Sequence, residues 1–262
     1  LSTNINEHGN RKRSALKNVK LDNYFGYSMT VFEFDGHRCQ VVKPHQPSPN
    51  KDWVWKAEFF EAFPEFQLSM LKRGFYLVFM EMNNSFGCPD ALKHWDNLYA
   101  LLTGTMEFSP RPILFGQSRG GLYVYNWASE HTQQVGCIYA DNPVCDFKSW
   151  PYMMGKTKEY DNEWQRLLNV YHFASEAEAL NYSGNPVDRL QPLIDAGIPL
   201  VHAVATDDEV VFASENTDVL EQRYRQLGGK LLKVFRHPGL HHPHGLADST
   251  PLIEFILNNR KT

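Results

Sequence analysis

The sequence predicts an α/β fold built on one doubly wound, mostly parallel sheet. Two observations carry this expectation. Short unbroken apolar runs, such as FYLVFM at 75–80 and VGCIYA at 135–140, have the character of strands buried on both faces. They alternate with amphipathic stretches such as 90–103, where Leu92, Trp95, Leu98 and Leu102 share one helical face. Strands alternating with helices require crossover connections and hence parallel pairing. The 262 residues, 42% hydrophobic and 21% charged, suffice for one substantial core, and a single domain is expected over 21–262.

The elements follow in order. Residues 1–20, polar and basic, read as a tail. Aromatic and polar positions alternate over 24–34, Asp35-Gly36 is a turn signal, and 37–43 returns as a second strand. PHQPSPN at 44–50 is a loop. WVWKAEFFEAF at 53–63 has apolar residues at helical spacing before Pro64, and a second helix is expected over 65–73, stopped by Gly74. The strand at 75–80, a loop at 83–89 and the helix at 90–103 lead to RPILFGQSRGGLYVYNWA at 111–128, then to the strand at 135–140, which Asp141-Asn142-Pro143 ends.

From about 146 to 184 the periodicity breaks. This stretch reads as an insertion packed over the site like a cap, supplying Trp150, Tyr152, Met153, Met154, Tyr160 and Trp164, which either line the site or pack the insertion's own core. A helix at 185–196 closed by Gly197, a strand at 198–203, a helix at 215–226, a strand at 230–235 and a helix at 250–258 with Pro251 in its first turn complete the chain.

Composition narrows the function. A formal net charge of -4 provides no broad cationic field for nucleic acid; the single basic cluster, Arg11-Lys12-Arg13, reads as solvated tail. No apolar run approaches the roughly 20 residues needed to cross a bilayer, so no membrane partner is expected. Leu1 stands where an initiator Met would, so a processed chain is expected; this leaves the compartment open, with secreted or periplasmic placed ahead of cytoplasmic. Cys39, Cys88, Cys137 and Cys145 form no CxxC pair and are expected to be buried free thiols. Oligomeric state is not specified.

The stretch at 111–128 organises the chemistry. An apolar strand enters Gly116-Gln117-Ser118-Arg119-Gly120-Gly121 and a helix leaves it. This is the form of a nucleophile elbow, with Ser118 held strained and its Oγ exposed above the strand ends. A Cβ at 116 or 120 would crowd the turn, and Gly121 is expected to let the helix approach the sheet. A serine hydroxyl needs a base and an orienting acid. After the strand at 198–203 come Asp207-Asp208-Glu209-Val210-Val211, and after the strand at 230–235 come His237-Pro238-Gly239-Leu240-His241-His242-Pro243-His244. In a parallel sheet these loops share the carboxyl edge.

The order Ser, Asp, His, each following a strand, resembles the α/β-hydrolase superfamily over nearly the whole chain from residue 24. Within it, NKDWVWKAEFF, NNSFGCP, GQSRGGL and DNPVCDFKSWP resemble a group of bacterial hydrolases linked with carbohydrate breakdown. The resemblance implies a serine esterase acting on a small-molecule or carbohydrate ester, without cofactor or metal. It implies Ser118 as nucleophile, Asp208 as the acid, because a variable residue and Val-Val follow it, and His241 as base, on the match to Gly239-Leu240-His241, where Leu240 replaces the usual Gly. Asp207, or Asp146 and Asp141 after the preceding strand, remain alternatives for the acid, and His242 and His244 for the base. The Arg119 N–H is the implied oxyanion donor, with a second donor expected in the loop before Trp55, at 53–55.

Arg119 has two readings: its guanidinium holds a substrate carboxylate or pairs with a structural one. Trp53, Trp55 and Trp150 are candidates to stack on a sugar, or belong to the core. A metal site in the histidine cluster is rejected, because no carboxylate sits at ligand spacing and adjacent histidines such as His241 and His242 seldom converge on one ion. An amidase or peptidase of the same fold, and a non-catalytic carbohydrate-binding module, are the competing functions.

Overall fold

The computed structural model describes residues 16–153 and 160–262. The chain opens with an antiparallel meander of β1 (Lys17–Tyr24), β2 (Tyr27–Phe34) and β3 (His37–Lys43), in which Phe34 pairs with His37 across the expected Asp35-Gly36 turn. The tail boundary at residue 20 is therefore too late. Seven of the eight residues of β1 are exposed, and a polar, lysine-bearing edge strand of this kind cannot be told from a tail by composition. Residues 1–15, with Arg11-Lys12-Arg13, lie outside the described residues, as does Met154.

The remainder alternates: β4 (Trp53–Ala57), α1 (Glu65–Lys72), β5 (Tyr76–Met80), α2 (Pro89–Gly104), β6 (Ile113–Gln117), α3 (Gly120–Glu130), β7 (Cys137–Asp141), α4 (Asp161–Val170), α5 (Glu176–Leu180), α6 (Gln191–Asp195), β8 (Leu200–Ala205), α7 (Thr217–Gln226), β9 (Leu232–His237) and α8 (Thr250–Asn259). Among the described residues nine strands form one sheet in the order β1-β2-β3-β5-β4-β6-β7-β8-β9. β5 pairs antiparallel with β3, and every pairing from β5 across to β9 is parallel. The parallel strands therefore all end on one edge, where the loops after β6, β7, β8 and β9 meet.

Two expectations fail locally. Residues 53–63 are not a helix: 53–57 form β4, buried throughout between β5 and β6. A buried strand carries no alternation, and a short apolar run fits either period. Residues 185–196 are not one helix but a 3₁₀ turn at Pro186–Asp188 and the short α6. Pro192 has no N–H to bond back to the preceding turn and its ring blocks that turn's carbonyl, so each proline starts a new segment.

Core side chains occupy both faces of the sheet. On one, Trp55 stacks on Trp95 of α2 at 4.1 Å and meets Trp127 of α3 edge-on at 5.2 Å. On the other, Phe115 stacks on Tyr139 at 4.6 Å, with Phe66 of α1 and Leu252 and Ile256 of α8 in the same cluster. A third cluster joins Phe147, Trp150, Trp164 and Leu167 of the 146–184 stretch to Phe86 and Leu122. The four cysteines are buried and free, and among the described residues no helix is long and apolar enough to cross a membrane.

His202 of β8 is fully buried, its Nε2 2.6 Å from the Tyr125 hydroxyl and its Nδ1 2.9 Å from Thr217 Oγ1. Burial disfavours the cation and pushes its pKa from 6.5 down to about 3. Between those values the unfolded chain binds a proton that the folded chain refuses, so stability falls as pH is lowered through the window, by at most about 1.4 kcal/mol per pH unit. Urea midpoints measured across that window should fall more steeply for the native protein than for a His202→Asn variant.

Candidate active site

The site begins where β6 stops. Ser118 has φ 49°, in the left-handed region, and α3 starts two residues later. The turn is stitched to the end of the neighbouring strand: Ser118 N–H donates to the Asp141 carbonyl and Val144 N–H to the Ser118 carbonyl, each at 2.9 Å. A Cβ at Gly116 would fall 2.6 Å from the Gly120 carbonyl oxygen, and one at Gly120 2.6 Å from that of Ala57. These are backbone atoms and cannot swing away, so both positions require glycine. Gly121 faces the Pro143-Val144 turn rather than the sheet.

Asp208 follows β8 and His241 follows β9. Asp208 Oδ2 lies 2.6 Å from His241 Nδ1, and His241 Nε2 lies 2.9 Å from Ser118 Oγ. The Val210 and Val211 N–H groups both donate to Asp208 Oδ1 at 2.8 Å, which holds the carboxylate and gives the Val-Val pair its local meaning. Ser118, Asp208 and His241 are 8%, 6% and 5% exposed. A carboxylate at Nδ1 places the imidazole proton there and leaves Nε2 as acceptor for the serine O–H.

The alternatives occupy other posts. Asp207 accepts from the Gly239 N–H at 3.1 Å and donates its own N–H to the Gly239 carbonyl at 3.0 Å, fastening the histidine loop. Asp146 accepts from the Lys148 N–H. Asp141 binds a second histidine: its Oδ1 is 2.7 Å from His244 Nδ1 and its Oδ2 accepts from the Tyr139 hydroxyl at 2.6 Å. His242 is exposed and stacks on Phe63 at 5.4 Å. One ring nitrogen from each of His241, His242 and His244 lies within 4.8 Å of the others, so the three imidazoles do converge, contrary to the sequence expectation.

Asn142 escaped the sequence reading. Its Oδ1 accepts from the Ala205 N–H at 2.7 Å and its Nδ2 donates to the His241 carbonyl at 3.3 Å, tying the ends of β7 and β8 to the histidine loop. Its position in the Asp-Asn-Pro terminator was the only signal, and that signal says turn.

Arg119 takes the structural reading. Its guanidinium lies 3.1 Å from Glu58 Oε2 and 3.5 Å from Glu163 Oε2 of α4, and stands over the rings of Phe59 at 5.0 Å and Phe86 at 5.7 Å. Trp53 and Trp55 lie in the buried β4, and the Trp53 indole donates to the Ser109 carbonyl. Residues 53–55 thus supply neither a sugar platform nor a loop donor. Trp150 is buried in the third cluster, beside Phe86 and Tyr160. The loop that passes the elbow begins instead at Glu58 and Phe59, both at positive φ. There a cavity of about 350 Å³ is lined by Arg38, Glu58, Phe59, Glu61 and Arg119 among others.

No protein-family model matches the chain, and no curated protein does. Solved structures match. Porphyromonas gingivalis dipeptidyl peptidase 4 aligns with a TM-score of 0.62 at 12% identity, over 94% of this chain and 36% of that one. Pyrococcus furiosus esterase Pf2001 aligns with a TM-score of 0.56 at 12% identity, over 98% of this chain and 95% of that one. S-formylglutathione hydrolase from Agrobacterium tumefaciens aligns with a TM-score of 0.56 at 14% identity, over 85% and 91%. The fold is that of the α/β-hydrolases. The chain spans 36% of the length of the dipeptidyl peptidase, and about the full length of the esterase. In this fold the turn at Ser118 follows β6, the strand between β4 and β7.

Asn142→Ala would leave the buried Ala205 N–H without its acceptor and free the His241 carbonyl. A loss of about 1–3 kcal/mol in stability is expected, measurable by urea denaturation.

Proposed function

We propose that this chain is a serine hydrolase that cleaves a carboxylic ester of a substituted sugar through an acyl-enzyme. The observation that carries the reading is the pair of hydrogen bonds running from Ser118 Oγ through His241 to Asp208. As Ser118 Oγ adds to the acyl carbon, its proton passes to His241 Nε2, and Asp208 stabilises the resulting imidazolium through Nδ1–H. Collapse of the tetrahedral adduct breaks the ester C–O bond, and the alcohol leaves with the proton from Nε2. Water then repeats the cycle: it gives a proton to Nε2 as it attacks the acyl-enzyme, the carboxylic acid departs, and Ser118 recovers its proton.

The developing oxyanion needs fixed donors, each worth on the order of 3 kcal/mol. The Arg119 N–H, at the positive end of α3, is the first. The Phe59 N–H is the second, in the loop that passes the elbow directly after Ala57. Among the described residues neither N–H has another acceptor.

The sugar rests on the resemblance of the 50–60 and 141–151 stretches to carbohydrate-linked hydrolases. The ring offered to it is Phe59, 38% exposed at the cavity rim. A peptidase reading draws on the likeness to the dipeptidyl peptidase, since one triad serves both bonds; kcat/KM for a matched ester and amide separates them, with the ester expected to be preferred.

Ser118→Ala should abolish turnover of a short-chain aryl ester, and retained activity would refute the reading. Asp208→Asn should lower kcat by about 10⁴-fold, whereas Asp207→Asn, which touches only the loop, should cost far less.

A further inference from the structure

We propose that His241, His242 and His244 form a zinc site through which the metal ion reversibly inhibits the enzyme. One ring nitrogen from each lies within 4.8 Å of the other two, and the rings meet pairwise edge-to-face at centroid distances of 4.7, 4.9 and 5.1 Å. Zinc–imidazole bonds of about 2.0–2.1 Å in a tetrahedral site put ligand nitrogens about 3.3 Å apart, so closing the site needs a shift of about 1.5 Å or less. Exposed His242, which makes ring contacts with Phe63, His241 and His244 but no hydrogen bond among the described residues, can make that shift.

Two of the three imidazoles are already presented as metal ligands are. Asp141 accepts from His244 Nδ1 and Asp208 from His241 Nδ1; in each case a buried carboxylate fixes the proton on Nδ1 and leaves the Nε2 lone pair as the one able to accept or to ligate. This is the carboxylate–histidine arrangement that fixes the tautomer and ring orientation of zinc ligands. His244 Nε2 has no hydrogen-bond partner among the described residues, whereas His241 Nε2 faces Ser118. Binding therefore exchanges the serine hydrogen bond for a metal bond. Ser118 keeps its proton, all three imidazoles bind in their neutral form, and water completes the coordination. Three imidazoles suit zinc and disfavour magnesium, which prefers oxygen ligands.

The inhibition rests on the proposed role of His241; the binding does not. Zinc chloride is titrated into the full chain and into Ser118→Ala by calorimetry, with magnesium as control, and aryl-ester hydrolysis is followed in parallel. One zinc per chain is expected in both proteins, with none for magnesium, and EDTA should restore any hydrolysis that zinc suppresses. His242→Gln removes an exposed ligand outside the Ser118–His241–Asp208 chain, so it should weaken zinc binding and zinc inhibition at least about tenfold with basal kcat/KM unchanged. Absence of zinc binding at millimolar metal, or unaltered affinity in His242→Gln, overturns the site whether or not the ester is cleaved. Zinc binding that depends on His242 in a protein without esterase activity would sustain the site and count against the function.

Discussion

The structure depends on how closely three backbones approach at the carboxyl end of β6. The Gly116 Cα faces the Gly120 carbonyl, and the Gly120 Cα faces the Ala57 carbonyl, each at a distance that leaves no room for a methyl group. With β4, β6 and α3 pressed together, the chain between strand and helix has only the left-handed conformation at Ser118 available. Such a conformation is costly for a residue with a side chain. It is held by the hydrogen bonds that the Ser118 N–H and carbonyl make with the start of the next loop. Because Asp141, Asn142 and Val144 supply or support those bonds, the strand beside the elbow also sets the height at which the histidine loop rests.

Arg119 extends this constraint outward. Its backbone begins the elbow helix while its guanidinium joins Glu58 of the β4 loop to Glu163 of α4, packed over Phe59 and Phe86. Taking a carboxylate out of water is costly unless it is paired, so these contacts fix the α4 helix relative to the Ser118 turn. The aromatic cluster of Phe147, Trp150 and Trp164, which incorporates Phe86 and Leu122, does the same through apolar contact. Residues 146–153 and 160–184 are thus attached to the elbow, α4 by both charge and packing.

The sheet is largely legible because strands buried on both faces are unbroken apolar runs, and Ser118 and the loops of Asp208 and His241 follow the strands β6, β8 and β9, while the choice of Asp208 and His241 within those loops is what the resemblance implies. Residues 53–57 depart from the helical expectation for a physical reason: Lys56 in the middle of the run has the character of a helix's polar face. It is instead fully buried, its Nζ donating to the Ala62 carbonyl and lying over the Phe115 ring, and burial lowers its pKa to about 7. Trp55 looked like a sugar platform because an aromatic near a site loop looks the same in sequence whether it faces the sheet's core or the solvent. Pairings such as Asn142 with His241 and Asp141 with His244 join positions 99 and 103 residues apart. They follow from strand register, which no local pattern encodes.

The proposed hydrolysis requires a hydroxyl that a neighbouring imidazole can deprotonate. The most direct test is mass spectrometry of the protein after treatment with a fluorophosphonate, which phosphonylates an activated serine by displacing fluoride. One adduct, on the peptide that contains Ser118, is the result the account predicts. An unmodified Ser118 peptide, or modification only at other serines, would contradict it.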